Sequence, residues 1–169
     1  MTYRRVDRDE RVEQTSDMKT LARHSDRAEI LQRLRAVRPE SARRWGRMSS
    51  HQMVCHLSDS FLVATGQKAV SHSTSLLQRT VVKWIALYAP LPWPAGIPTR
   101  PEIDQELEGT RPVDFATDVA QLKALLEHIT PQTMPFEWQL HPIFGKLSES
   151  AWLRWGYLHV DHHLRQFGA

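Results

Sequence analysis

Four stretches of the chain repeat apolar residues at steps of three and four, the spacing of helices that each bury one face. The first runs from about Asp26 to Val37, with Ile30, Leu31 and Leu34 as its stripe and Pro39 as its stop. Asp26 followed by Glu29 reads as an Asp version of a capping box. The second opens on Ser49 and Gln52, a full capping-box pair, and carries Met53, His56, Leu57, Ser60, Phe61 and Ala64 on one face before Gly66. The third starts at Asp114, an N-cap residue, and presents Phe115, Val119, Leu122, Leu125, Leu126 and Ile129. Ser148 caps the last, which runs to Phe167 with Gly168 just past its end.

Between these stretches the pattern changes. Residues 1–24 are polar and without period, which predicts a flexible arm, with a short helix around Gln14–Ala22. Trp45-Gly46 marks a turn with an aromatic anchor. Residues 66–113 form a long crossover holding a further helix from Ser75 to Tyr88, a proline-rich loop from Pro90 to Pro101 around Trp93, and an acidic run from Glu102 to Glu108. Residues 130–137 read as a loop, and Phe136–Leu140 as a short extended piece. No strand alternation persists beyond five residues. The expectation is an all-α chain: a four-helix bundle over residues 25–169 with one long crossover (up-down-down-up) and an extra helix in it.

Composition narrows the partners. With 169 residues and 41% apolar content, one domain with its own core is expected. The net charge of +3 comes from residues 1–48, which hold 13 Lys/Arg against 8 Asp/Glu. Those arginines spread over an arm, a helix and a loop, so they build no nucleic-acid face. A single cysteine, Cys55, rules out an internal disulfide and a Cys-rich zinc site, which with a charged N-terminus suits a cytoplasmic protein. Val81–Pro98, the longest apolar region, is broken by Lys83 and four prolines and cannot span a bilayer.

The chemistry is in the last helix, where Tyr157–Phe167 packs three histidines into five residues. His159 and His163 are four apart and share a face, so both imidazoles reach one ion from the same side. His56 is seven residues from its cap, about 10 Å along the axis, and His159 and His163 stand roughly 13 and 7 Å from the helix end. All three share a level only if the second and last helices run antiparallel. Three imidazoles suit Zn²⁺ or Ni²⁺ and leave a position for water or substrate. Gln166 is placed to hold the second nitrogen of His163. His162 lies about 60° off the stripe and reads as a flank residue, and His141, in a His-Pro loop under the last helix, as structural or as a pocket residue. His51 faces solvent or a loop, His72 is exposed, and His128 serves a helix end. Cys55 diverges by about 100° from His56 and is a buried bystander. Val160 stands where a zincin protease needs Glu. Trp84 and Trp93 read as anchors of the crossover, or alternatively as lining of a pocket mouth or a dimer face.

Arg44-Trp45-Gly46-Arg47-Met48-Ser49 leading into His56-Leu57, with the run His159-Val160-Asp161-His162-His163-Leu164-Arg165-Gln166, resembles the DinB-like superfamily of metal-dependent proteins. His141-Pro142-Ile143-Phe144-Gly145-Lys146-Leu147 is similar to one branch of it, described only as a domain of unknown function. The likeness covers about residues 26–169. It implies a four-helix bundle with one long crossover and a zinc or nickel ion on His56, His159 and His163. It also implies a homodimer, and a small-molecule substrate that in relatives involves thiols such as mycothiol or bacillithiol. The longer crossover here departs from the pattern and leaves the substrate class open. Two functions follow as expectations: a metal-dependent hydrolase or thiol-dependent transferase, or a non-catalytic interaction or stress-response module with structural histidines.

Overall fold

A computed structural model describes residues 18–73, 75–129 and 137–169, and over these residues every regular element is helical. In chain order they are α1 (His24–Leu34), α2 (Ser50–Ala64), a π-helical turn (Gln78–Val82) leading into α3 (Lys83–Tyr88), a 3₁₀ turn (Pro101–Ile103), α4 (Phe115–His128) and α5 (Glu149–Gln166). None is long and apolar enough to cross a membrane.

The starts of three helices follow from local chemistry. Ser49 Oγ accepts from Gln52 N at 3.1 Å while Gln52 Oε1 accepts from Ser49 N at 2.8 Å, closing the capping box of α2. Asp114 Oδ1 accepts from Thr117 N at 2.8 Å, and Ser148 Oγ accepts from Ala151 N at 3.2 Å. Each cap contributes on the order of 1 kcal/mol. The caps fix the register of the stripes, and the stripes meet. Ile30, Leu34, Met53, Leu57, Phe61, Leu122, Leu126, Trp152 and Leu164 form one core with exposures of 2% or less. Burying each such side chain stabilises by roughly 1.5–3 kcal/mol.

α2 lies between α4 and α5, and α1 packs on α5. Trp45 meets His162, His56 meets His159 and His163, and Phe61 meets Trp155. The contacts advance along α2 as they retreat along α5, so the two helices run in opposite directions.

Several expectations need correction. α1 begins at His24 with Arg23 as its uncapped N-cap, and Asp26 sits inside its first turn. The buried Asp26 carboxylate instead reaches back, accepting from Thr20 N at 2.9 Å and Arg23 Nε at 2.8 Å. Within residues 18–24, assigned to the arm, Leu21 is fully buried and its N–H donates to Leu153 O at 3.1 Å. Residues 1–17 and Thr130–Phe136 lie outside the described residues, as does the start of the short helix expected at Gln14–Ala22; its remainder, 18–22, is not helical. The extended piece around Phe136–Leu140 forms no strand over 137–140; Gln139 N donates to Ala64 O at 3.1 Å, and His141 pairs with Gly145 across a tight loop. α5 stops at Gln166, one residue early, with Phe167 as its C-cap.

Candidate metal centre

His56 comes from the middle of α2, His159 and His163 from the last two turns of α5, and all three are buried. One ligand nitrogen of each lies within 4.8 Å of the others. His56 Nε2 and His159 Nε2 are 3.2 Å apart, and the three ring centroids stand 4.9–5.1 Å from one another.

Hydrogen bonds on the far sides of two rings settle which nitrogen carries the proton. His56 Nδ1 is 2.8 Å from Ile103 O, and a carbonyl oxygen only accepts, so Nδ1 holds the hydrogen and Nε2 keeps a lone pair. His163 Nδ1 is 2.9 Å from Gln166 Oε1, while Gln166 Nε2 donates to Trp45 O at 2.8 Å. That second bond orients the amide, so His163 Nδ1 also donates and its Nε2 also keeps a lone pair. Two lone pairs therefore point into one small space, and the Nε2 of His159 completes it. His159 Nδ1 is buried with no hydrogen-bond partner among the described residues.

Burial holds all three imidazoles neutral. Desolvation lowers His56 below the usual histidine range, and it lowers His159 and His163 well below, helped by the neighbouring rings. A neutral imidazole is the form that ligates a cation. Tetrahedral nitrogens about 2.0–2.1 Å from a zinc ion lie roughly 3.3 Å apart, close to the spacing of the His56 and His159 nitrogens. The donor set fits a divalent ion, with no fourth protein ligand among the described residues.

The backbone around the rings is arranged by groups the sequence does not flag as chemical. Ile103 O reaches His56 because the crossover is tied down beneath it. The fully buried Asp59 takes Gln105 Nε2 at 3.0 Å, Thr110 N at 2.8 Å, Thr110 Oγ1 at 2.6 Å and Lys68 Nζ at 2.8 Å. Arg47 pairs with both Asp104 and Glu106. Gly46 has φ +76°, and a Cβ there would stand 2.5 Å from Gln166 Nε2. Only glycine at this turn lets the amide reach Trp45 O.

His162 lies beside the cluster, half-buried between Trp45 and Trp93 at centroid distances of 5.9 and 6.1 Å. Trp93, from the proline-rich loop, also stands 6.1 Å from His159, so this anchor lines the site; Trp84 is exposed elsewhere. His141 does not reach the cluster. Its ring packs on Trp155, which packs on His159, and its Nδ1 accepts from Ile143 N and Phe144 N, both at 3.1 Å. His72, exposed, lies 3.3 Å from Leu140 O, and His128 ends α4. His51 corrects an expectation: it faces Asp118 of α4, with Nε2 and Oδ2 2.6 Å apart, not solvent. Cys55 joins them, its thiol 3.6 Å from the same oxygen and pushed up to about 12 by burial and by Asp118.

A family model described as "Protein of unknown function" (DUF1569) matches residues 15–169. The chain belongs to that family. The match begins ahead of Leu21, in keeping with a packed segment before α1. No curated protein and no solved structure matches the chain.

Proposed function

We propose that the protein is a metal-dependent enzyme in which His56, His159 and His163 hold one zinc or nickel ion on a DinB-like four-helix bundle of up-down-down-up topology. The observation that carries this reading is the pair of fixed tautomers. Ile103 O and Gln166 Oε1 each take the Nδ1 hydrogen of a buried histidine and leave its Nε2 lone pair facing the other rings. Lone pairs gathered among buried rings repel unless a cation or a shared proton sits between them. The outer hydrogen bonds are those that orient metal-binding histidines. The opposed course of α2 and α5 supports the topology.

A divalent ion there supplies Lewis acidity to a bound water or to a thiol substrate. Three protein ligands leave it open to either, so hydrolysis and thiol-dependent transfer to a small molecule are the reaction classes proposed. Trp93 and Trp155 give the site an apolar wall beside His159. The test is elemental analysis of untagged protein. About one equivalent of metal is expected, absent from a His159→Ala, His163→Ala double variant. A folded, metal-free protein that takes up neither ion when either is supplied would reject the reading.

A further inference from the structure

The crossover helix is turned inside out. Residues 76–88 are helical throughout, and of them only Leu87 is buried. Leu77, Val81, Trp84, Ile85 and Tyr88 recur at steps of three and four, the spacing of a face that would ordinarily be packed. Here that face is outward, with exposures of 61, 51, 61, 46 and 42%. The opposite side makes the contacts with the protein: Leu87 O accepts from Arg154 Nε at 3.0 Å, and Ala86 O from Trp93 Nε1 at 2.7 Å. The second of these ties down the proline-rich loop, which exposes Leu91 and Ile97 as well. Scattered surface leucines need no explanation, but an ordered apolar stripe on one helix does.

Charge identifies what covers it. From residue 60 to residue 101 there is no Asp or Glu, while Arg79 and Lys83 lie on the helix and Arg100 follows it. None of these three cations has an ion pair among the described residues. A second copy docked through a two-fold axis would set this patch against itself, bringing like charges together with no carboxylate to receive them. An anionic bilayer answers both features. Its acyl boundary takes an apolar face bearing Trp and Tyr, and its anionic headgroups attract a segment that carries cations and no carboxylate. We infer that the helix of residues 76–88 docks flat on the surface of a membrane rich in anionic phospholipid. This does not depend on the metal reading.

The test is co-sedimentation of the full chain with vesicles of phosphatidylcholine alone or of an equal mixture with phosphatidylglycerol, beside sedimentation velocity without lipid. Binding to the mixed vesicles, weaker on the neutral ones and weakened by salt, is expected, with the state of assembly in solution the same for the unchanged protein and the variant below. A Leu77→Glu, Trp84→Glu double variant, changed only at exposed positions, should lose about tenfold in apparent affinity while its circular dichroism is unchanged. The salt titration of the unchanged protein stands on its own should that variant misfold. No binding, binding indifferent to lipid charge, or binding that a folded double variant retains would overturn the inference. A dimer in solution that the double variant dissociates would overturn it too, and would assign the face to a second copy.

Discussion

Two polar clusters share α2, and the same measure of closeness fits both. His56, His159 and His163 have ligand atoms within 4.8 Å of one another, and so do His51, Cys55 and Asp118. Their hydrogen bonding separates them. In the second cluster one carboxylate oxygen, Asp118 Oδ2, faces His51 Nε2 at 2.6 Å, the Cys55 thiol at 3.6 Å and Val113 N at 3.3 Å. Donors meet an acceptor, and the protein satisfies the set by itself. In the first, no carboxylate joins the cluster among the described residues, and at least two of the three inward nitrogens are acceptors. Nearness of ligand atoms is therefore a poor guide; what matters is whether the protons in hand can satisfy them.

The sharpest break of this comparison is a metal count. His56→Ala should reduce bound metal from about one equivalent to none, whereas Asp118→Asn and Cys55→Ala should each leave it unchanged, as read by elemental analysis. Loss of metal in the Cys55 variant alone would reverse the roles of the two clusters. The next effect is smaller. Gln166→Leu keeps all three imidazoles but frees His163 Nδ1 and Trp45 O, and metal affinity measured against a competing chelator should fall about 10–100-fold. Gly46→Ala should move in the same direction by displacing the amide. On the other cluster the readout is stability. Asp118→Ala takes the acceptor from the half-buried His51 and the buried Cys55 and should cost about 1–3 kcal/mol in denaturant unfolding, with metal content unaltered.

How much of this was legible in the sequence depends on whether a side chain or the backbone does the work. The caps at Ser49, Asp114 and Ser148 and the i, i+4 pair His159 and His163 are written in residue types, and the structure places them accordingly. Gln166 could be placed beside His163 by helical spacing alone. Ile103 could not, because its carbonyl has no signature and arrives through a buried Asp59 network that no periodicity shows. Asp26 has the composition of a cap but uses its carboxylate on the preceding chain, and Leu21 stands with only Met18 and Ala22 as apolar neighbours in a polar stretch. The stripe on residues 76–88 was legible from its apolar steps of three and four. Its direction was not, since a stripe looks the same turned in or out, and the π turn at Gln78–Val82 shifts the face further.

A pH-dependent effect separates His141 from the histidines it resembles in burial. Its ring stacks on Phe144 at 4.5 Å, and its Nδ1 already accepts two backbone N–H groups, so its place is structural. Burial, with a lesser contribution from His72, lowers it from 6.5 to about 3. The folded protein thus keeps it neutral at a pH where the unfolded chain protonates it. The unfolded state binds the extra proton between about pH 6.5 and 3, so stability is full above that window and falls as pH drops through it. The slope is about 1.4 kcal/mol per pH unit for one proton. His141→Asn puts an Oδ1 where Nδ1 stood, preserving the acceptor for Ile143 and Phe144 without a titrating group. In chelator-treated protein, unfolding followed across this window should show a slope shallower by one proton's worth in the variant. The remaining slope belongs to the other groups the fold shifts down: His56, His159, His162 and His163 among the imidazoles, and Asp26, Glu102 and Asp114 among the carboxylates. An unchanged slope would mean that His141 is protonated in the fold, which its two donated N–H contacts oppose.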